Sequence, residues 1–240
     1  QQIRQLRDEG IKINVALLSL PVDKNVCGNE IEGTVWPKEP ESQIRKIHEL
    51  GVDPDYFTFD GPLIAGHFYR GKHACNLSID QVAQHVNVTV KAIRAVYPNA
   101  RIFDAESPNY VPPEQWATAL SEWLVAYKRE TGEALAGVSL DVNWRHPWED
   151  GFRRSISILR NTGLESGVFL NAPGGPHVSA KEWVAQTKKN TCAILALAEI
   201  LDYVVISNWT STAIPMVANS APSLTSLVDW YSEGPKCPPS

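Results

Sequence analysis

Long runs are what this 240-residue sequence lacks. No apolar stretch reaches the roughly 18 residues that a membrane-spanning helix requires, so no membrane partner is expected. No run of Lys or Arg occurs either. With 22 basic against 27 acidic residues the net charge is −5, and a surface of that sign does not attract nucleic acid or anionic lipid. Cysteine is scarce: Cys27, Cys75, Cys192 and Cys237 make no disulfide-dense scaffold, and none stands in a C-x-x-C pair. The one methionine is Met216 and the chain opens on Gln1, so the sequence reads as a trimmed product from which a leader could already have been removed. Asn76, Asn87 and Asn208 open N-x-S/T sequons, which have meaning only in a secreted eukaryotic protein. Together these features lean towards an extracellular or periplasmic location.

Signature motifs are missing as well. There is no G-x-S-x-G, no H-E-x-x-H and no Cys/His spacing typical of zinc, which argues against a nucleophile elbow and a structural or catalytic zinc. The turn Ala172-Pro-Gly-Gly-Pro176 follows a strand-like run, but it lacks dinucleotide or P-loop spacing and a basic residue placed for phosphate. It reads as a rim loop. No cofactor and no resident metal are expected.

What is present is a strict alternation of elements. Buried strand-like runs fall at 13–20, 56–60, 101–106, 137–143, 167–171 and 203–208. Helical patterns lie between them, over about 41–50, 78–97, 114–132, 148–161, 179–201 and 223–231. Ser78…Gln81 and Ser179…Glu182 are capping boxes that open two of these helices, and Gly132 stops another. The segment IRQLRDEG reads as the end of an amphipathic helix closed by Gly10. Alternation of this kind predicts a parallel sheet with right-handed crossovers. With 43% hydrophobic residues the chain can bury a full core. The expected fold is α/β, a (β/α)8 TIM-type barrel with one or two N-terminal strands missing or not recognised. It forms a single domain over 1–232, with a loose tail at 233–240. A doubly wound open sheet is the competing architecture.

The strand-like runs share an ending. They close on Asp60, on Asp104 with Glu106, on Asp141 with Asn143, on Asn171 and on Asn208. Polar groups converging at strand C-termini are how barrel enzymes assemble their sites, although a single Asp or Asn there is also an ordinary turn or cap residue. Cleavage of a glycosidic bond needs one carboxylic acid to protonate the leaving oxygen and a second carboxylate as nucleophile or base. Glu106 is the expected general acid, with Asp60 or Asp141 as its partner. Two long connections, 21–40 and 61–77, follow strand ends and carry Glu30, Glu32, Trp36, His67, Tyr69 and His73. A bond between Cys27 and Cys75 would fasten these loops together; two free buried thiols is the alternative. Glu32, Asp104, Asn143, His67 and Asn171 are candidate substrate-binding residues. So are Trp144 and Trp209, because flat apolar rings suit the C–H faces of sugars. Trp116, Trp123 and Trp183 lie in helical patterns and are expected to pack. A mixed N/O metal site from Asp60, His67, His73, Glu106 and Asp141 is the runner-up chemistry, that of a metal-dependent sugar isomerase or lyase. A barrel that binds carbohydrate without cutting it is the third reading.

These residues also resemble a family. CGNEIEG (27–33), FDGPLIAGH (59–67), ACNLS (74–78), FDAE (103–106) and LDVNW (140–144) are similar to a poorly characterised group of glycoside-hydrolase-like TIM-barrel proteins, over most of residues 13–230. The resemblance implies a carbohydrate substrate. Barrel glycosidases of this kind place an acid Glu after the fourth strand and a nucleophile Glu after the seventh. Glu106 matches the first; the later strand ends carry Asn171 and Asn208, which leaves the nucleophile among Asp60, Asp141 and Glu32.

Overall fold

The computed structural model describes residues 5, 7–175, 177–208, 212, 214–216 and 222–238. Gln5, Arg7 and Asp8 are helical, and Gly10 closes them at φ +81°. Then follow β1 (Asn14–Leu17), β2 (Leu20–Pro21), β3 (Thr34–Val35), α1 (Glu39–Glu49) and β4 (Tyr56–Asp60). A π-helical turn, Ile64–Phe68, leads to α2 (Ile79–Val96), β5 (Arg101–Glu106), α3 (Pro113–Thr131) and β6 (Gly137–Leu140). The remainder is α4 (Glu149–Thr162), β7 (Glu165–Leu170), α5 (Ala180–Ala196), β8 (Tyr203–Ile206) and α6 (Leu224–Ser232).

Each of the six expected strands contributes to one parallel sheet in the order β1-β4-β5-β6-β7-β8. The order never reverses, so the sheet has no switch point and is not doubly wound. Side chains from one face of all six strands, among them Asn14, Thr58, Phe103, Ser139, Phe169 and Tyr203, border a single cavity of about 320 Å³. A flat sheet could not bring its two edge strands to one cavity; this one is curled into a half-barrel. The expected TIM-type barrel is therefore present in part, without closure into an eight-stranded ring. Among the described residues β1 and β8 each pair on one side only, and closure at the tilt of a TIM barrel takes eight strands. The run 13–20 is also divided. Its end becomes β2, which pairs with β3 in a separate two-stranded ladder, while the carbonyl of Ser19 between them accepts a bond from Thr89 on α2.

Helix ends obey their local chemistry. Ser78 and Ser179 form the two expected capping boxes and Ser223 forms a third; each box satisfies two orphan amides and contributes about 1 kcal/mol. Gly132, at φ +81°, ends α3 in a left-handed conformation that a side chain would disfavour. The outer layer is held by large aromatics. Trp116, Trp123 and Trp183 are fully buried, and their indole N–H groups donate to Ser155 Oγ, Asp104 Oδ2 and the Ala172 carbonyl. Burying one such ring stabilises by about 3 kcal/mol, provided its polar tip finds a partner. Two disulfides, Cys27–Cys75 and Cys192–Cys237, complete the frame. The second ties the segment after α6, expected to be loose, back to α5.

Candidate active site

Strand parity decides which residues face the concave side. On β4, Tyr56, Thr58 and Asp60 border the inner cavity, whereas Phe57 is fully buried away from it. On β6 and β7 the inward series are Ser139 and then Asp141, and Phe169 and then Asn171. Asp60 and Asp141 thereby line one cleft of about 580 Å³ at the C-terminal ends of the strands, together with Glu30, Glu32, Tyr69, Tyr110 and Asn143. No Lys, Arg or His is among the described residues lining it.

The loops above the cleft are pressed onto it. Cys27–Cys75 joins the segment after β2 to the segment before α2, and the Gly28 amide donates to the His73 carbonyl at 2.7 Å. Gly33 sits at φ +83°, where an added Cβ would stand 2.4 Å from the Asp60 carbonyl oxygen. Only glycine lets the chain approach that closely, and the approach carries Glu32 over Asp60. The bond between Cys27 and Cys75 is thus the arrangement the molecule adopts.

The two inward carboxyls have different surroundings. Burial pushes Asp60 up to about 6, with the charges of Glu32 and Asp141 adding to the effect. Among the described residues no donor reaches its side chain. Burial also raises Asp141, but the amide of Asn171 donates to its Oδ1 at 2.9 Å and opposes the shift. Glu32 raises it slightly further. Of two acids facing one space, Asp60 more readily holds a proton and Asp141 more readily holds a charge.

β5 behaves differently. Its inward residues are Phe103 and Ala105, so Asp104 and Glu106 share the opposite parity with Ile102. Asp104 is fully buried against α3, accepting from Trp123 Nε1 at 2.7 Å and from the Ala105 amide. It stands in the helix layer and not in the cleft. Glu106 is 1% exposed in the cleft wall. Its Oε1 accepts the Leu63 amide at 2.7 Å and its Oε2 the Ile64 amide at 3.3 Å, so it caps the turn that follows Asp60. Burial raises both carboxyls, Asp104 to about 7 and Glu106 well above the ordinary range.

The remaining expected residues divide. Glu32 and Asn143 line the cleft, and Asn143 Oδ1 accepts the Arg145 amide. His67 does not line it; its Nδ1 is 2.8 Å from the Leu77 carbonyl oxygen and its ring meets Phe68 edge-on. Asn171 is buried behind Asp141, and Trp144 donates from Nε1 to Asn171 Oδ1 at 2.6 Å. Trp209 lies outside the described residues. Asn208 is half-buried, and its Nδ2 donates to the Thr212 carbonyl. Tyr110 was not foreseen; the signal was the Pro-rich loop SPNYVPP that follows Glu106. Among the described residues no three His, Cys, Asp or Glu side chains are grouped to hold a metal ion, and none of the helices described is long and apolar enough to cross a membrane.

No protein-family model matches the chain, and neither does any curated protein. Among solved structures it is similar to CbXyn10B in native form, at 13% identity and a TM-score of 0.48, over 98% of this chain and 72% of that one. It is similar to fungal β-1,4-galactanases at 10% identity and a TM-score of 0.36, over 92% and 57% of the two chains. It is also similar to 2,3-dimethylmalate lyase, a PEP mutase/isocitrate lyase superfamily member, at 11% identity and a TM-score of 0.40, over 97% and 75%. The chain thus spans little more than half the length of the galactanase chain. With every TM-score here under 0.5, these likenesses leave the chemistry to be read from the site.

Proposed function

We propose that this protein is a glycoside hydrolase acting on an uncharged oligosaccharide or polysaccharide. The observation that carries the reading is the pairing of Asp60 and Asp141 in one cleft at the strand C-termini, one without a donor and the other held by an amide. Asp60 gives its proton to the glycosidic oxygen as the C–O bond breaks. The Asp141 carboxylate either attacks the anomeric carbon or takes a proton from the water that does. Either course consumes one water. In the first, Asp60 recovers its proton from the water that hydrolyses the glycosyl ester on Asp141; in the second, Asp141 passes the proton it gained to solvent and Asp60 takes one back. Glu106 anchors the turn beside Asp60, and Tyr69 and Tyr110 offer rings to sugar faces at the rim. A cleft walled by carboxylates without a facing cation repels uronate or sulfated sugars and admits neutral ones.

The test is release of reducing ends from a panel of neutral oligo- and polysaccharides, followed against pH. Turnover needs Asp60 protonated and Asp141 ionised, so it should fall as pH rises through about 6. Absence of release across the panel, with binding retained, would leave a carbohydrate-binding barrel and overturn the hydrolase.

A further inference from the structure

The geometry points to Asn171 and Trp144 as positioning residues that hold Asp141 in its working state, not as groups that touch sugar. The inference rests on the hydrolase reading only for the use made of Asp141; the arrangement itself stands on contacts.

Asn171 is 7% exposed, and both ends of its side-chain amide are engaged. An indole nitrogen is a donor only, so the 2.6 Å bond from Trp144 Nε1 can end only on the amide oxygen. That bond turns the NH2 group towards Asp141, where it donates to Oδ1 at 2.9 Å. Were the amide reversed, its oxygen would face a carboxylate and its NH2 would face an N–H. The Asn171 backbone is held separately: its carbonyl accepts Asn190 Nδ2 from α5 at 3.0 Å, and Asn190 in turn accepts from Gln186 at 2.8 Å. Trp144 is braced edge-on by Trp148 at 5.2 Å, and Trp148 by the fully buried Phe152 at 5.8 Å. The relay is therefore anchored in two helices and ends on one carboxylate oxygen.

Its effect follows from the charges that face Asp141. Glu32 approaches from the loop after β2 and Asp60 from β4, and Asp60 acts in turn on Glu106 of β5; Arg145 and His146 stand on the turn that follows Asp141 and line the neighbouring recess with Asn171. Within the cleft all the formal charges are negative, so ionising Asp141 needs a donor, and Asn171 supplies it. Asp60, which has none, is left as the group that keeps the proton. The relay thus separates two acids that share one cleft into a base and an acid.

The experiment titrates the Asp141 carboxyl carbon by 13C NMR in the full chain, with Asp141→Asn used to assign its signal. In Asn171→Leu the midpoint should rise by about one pH unit, the scale on which a hydrogen bond to a carboxylate acts. In Trp144→Phe, which keeps an aromatic ring but removes the indole N–H, it should rise by less. Asn190→Ala, which loosens the backbone anchor without touching the relay, should lower the Tm and leave the midpoint in place. Should Asn171→Leu fail to fold, Trp144→Phe decides alone. A midpoint that stays put in the folded variants, or one that moves equally in Asn190→Ala, overturns the positioning role. A shift found in a protein that releases no reducing ends would uphold the relay and sink the hydrolase, so the two fail separately.

Discussion

Two pairs of carboxyls sit within a few residues of the same sheet edge and have opposite surroundings. Asp60 and Asp141 face the concave side and line an open cleft, whereas Asp104 is buried against the helices and Glu106 is buried in the cleft wall, each with backbone or indole N–H groups on its oxygens. The difference is one of parity. A strand turns successive side chains to opposite faces, so Asp104 points to the helices, while Glu106 at the strand end reaches the cleft wall with both its oxygens bound by backbone amides. A polar strand ending is thus two features that look alike in a sequence: an inward acid free to act, and an outward acid that satisfies buried donors.

That comparison can be broken most directly at its active half. Asp60→Asn and Asp141→Asn should each lower turnover by roughly 10³-fold or more, in line with the loss of an acid or base catalyst, while leaving the Tm unchanged or higher. Full turnover in either variant, measured as reducing ends released, would remove that residue from the chemistry.

The buried half should respond in stability instead. Glu106→Ala strips the Leu63 and Ile64 amides of their acceptor and is expected to cost about 2–3 kcal/mol, read as the shift in the urea unfolding midpoint. A variant as stable as the parent would show that the turn after Asp60 does not depend on this cap.

The last effect lies in a pH slope. Burial holds Asp104 at about 7, whereas in an unfolded chain an Asp titrates near ~3.9. Between these values the folded state keeps a proton that the unfolded state has lost. This group's contribution is therefore complete below about pH 4 and disappears as pH rises through 7. Asp104→Asn offers one acceptor where Asp104 has two, so it should be less stable in acid, yet its stability should decline less between pH 4.5 and 7.5. Parallel unfolding curves across that range would show that Asp104 does not titrate there.

The elements themselves were legible along the chain. The six strands, the capping serines and the glycine that ends α3 follow from apolar periodicity and from the chemistry of helix ends, and both act within a few residues. The strand ends that carry Asp60 and Asp141 were legible in the same way. The way Glu106 and Asp104 are held was not: in RIFDAE the apolar residues Ile102 and Phe103 fall on opposite parities, so the sequence alone does not say which face is the outer one. Nor did it separate Trp144 and Asn171 as holders of Asp141 from residues that meet a sugar, since their bonds span 27 and 30 positions.

The sequence by itself determined the alternation of strands and helices, the places where helices begin and stop, and the presence of acids at strand ends, because these depend on local hydrogen bonding and on periodicity. Only the tertiary structure decided that the sheet stays an open, curled half-barrel, that Cys27 joins Cys75 and Cys192 joins Cys237, and that β5 buries Asp104 against a helix and binds both oxygens of Glu106. Each of those depends on register and distance between segments tens of residues apart, which no local pattern encodes.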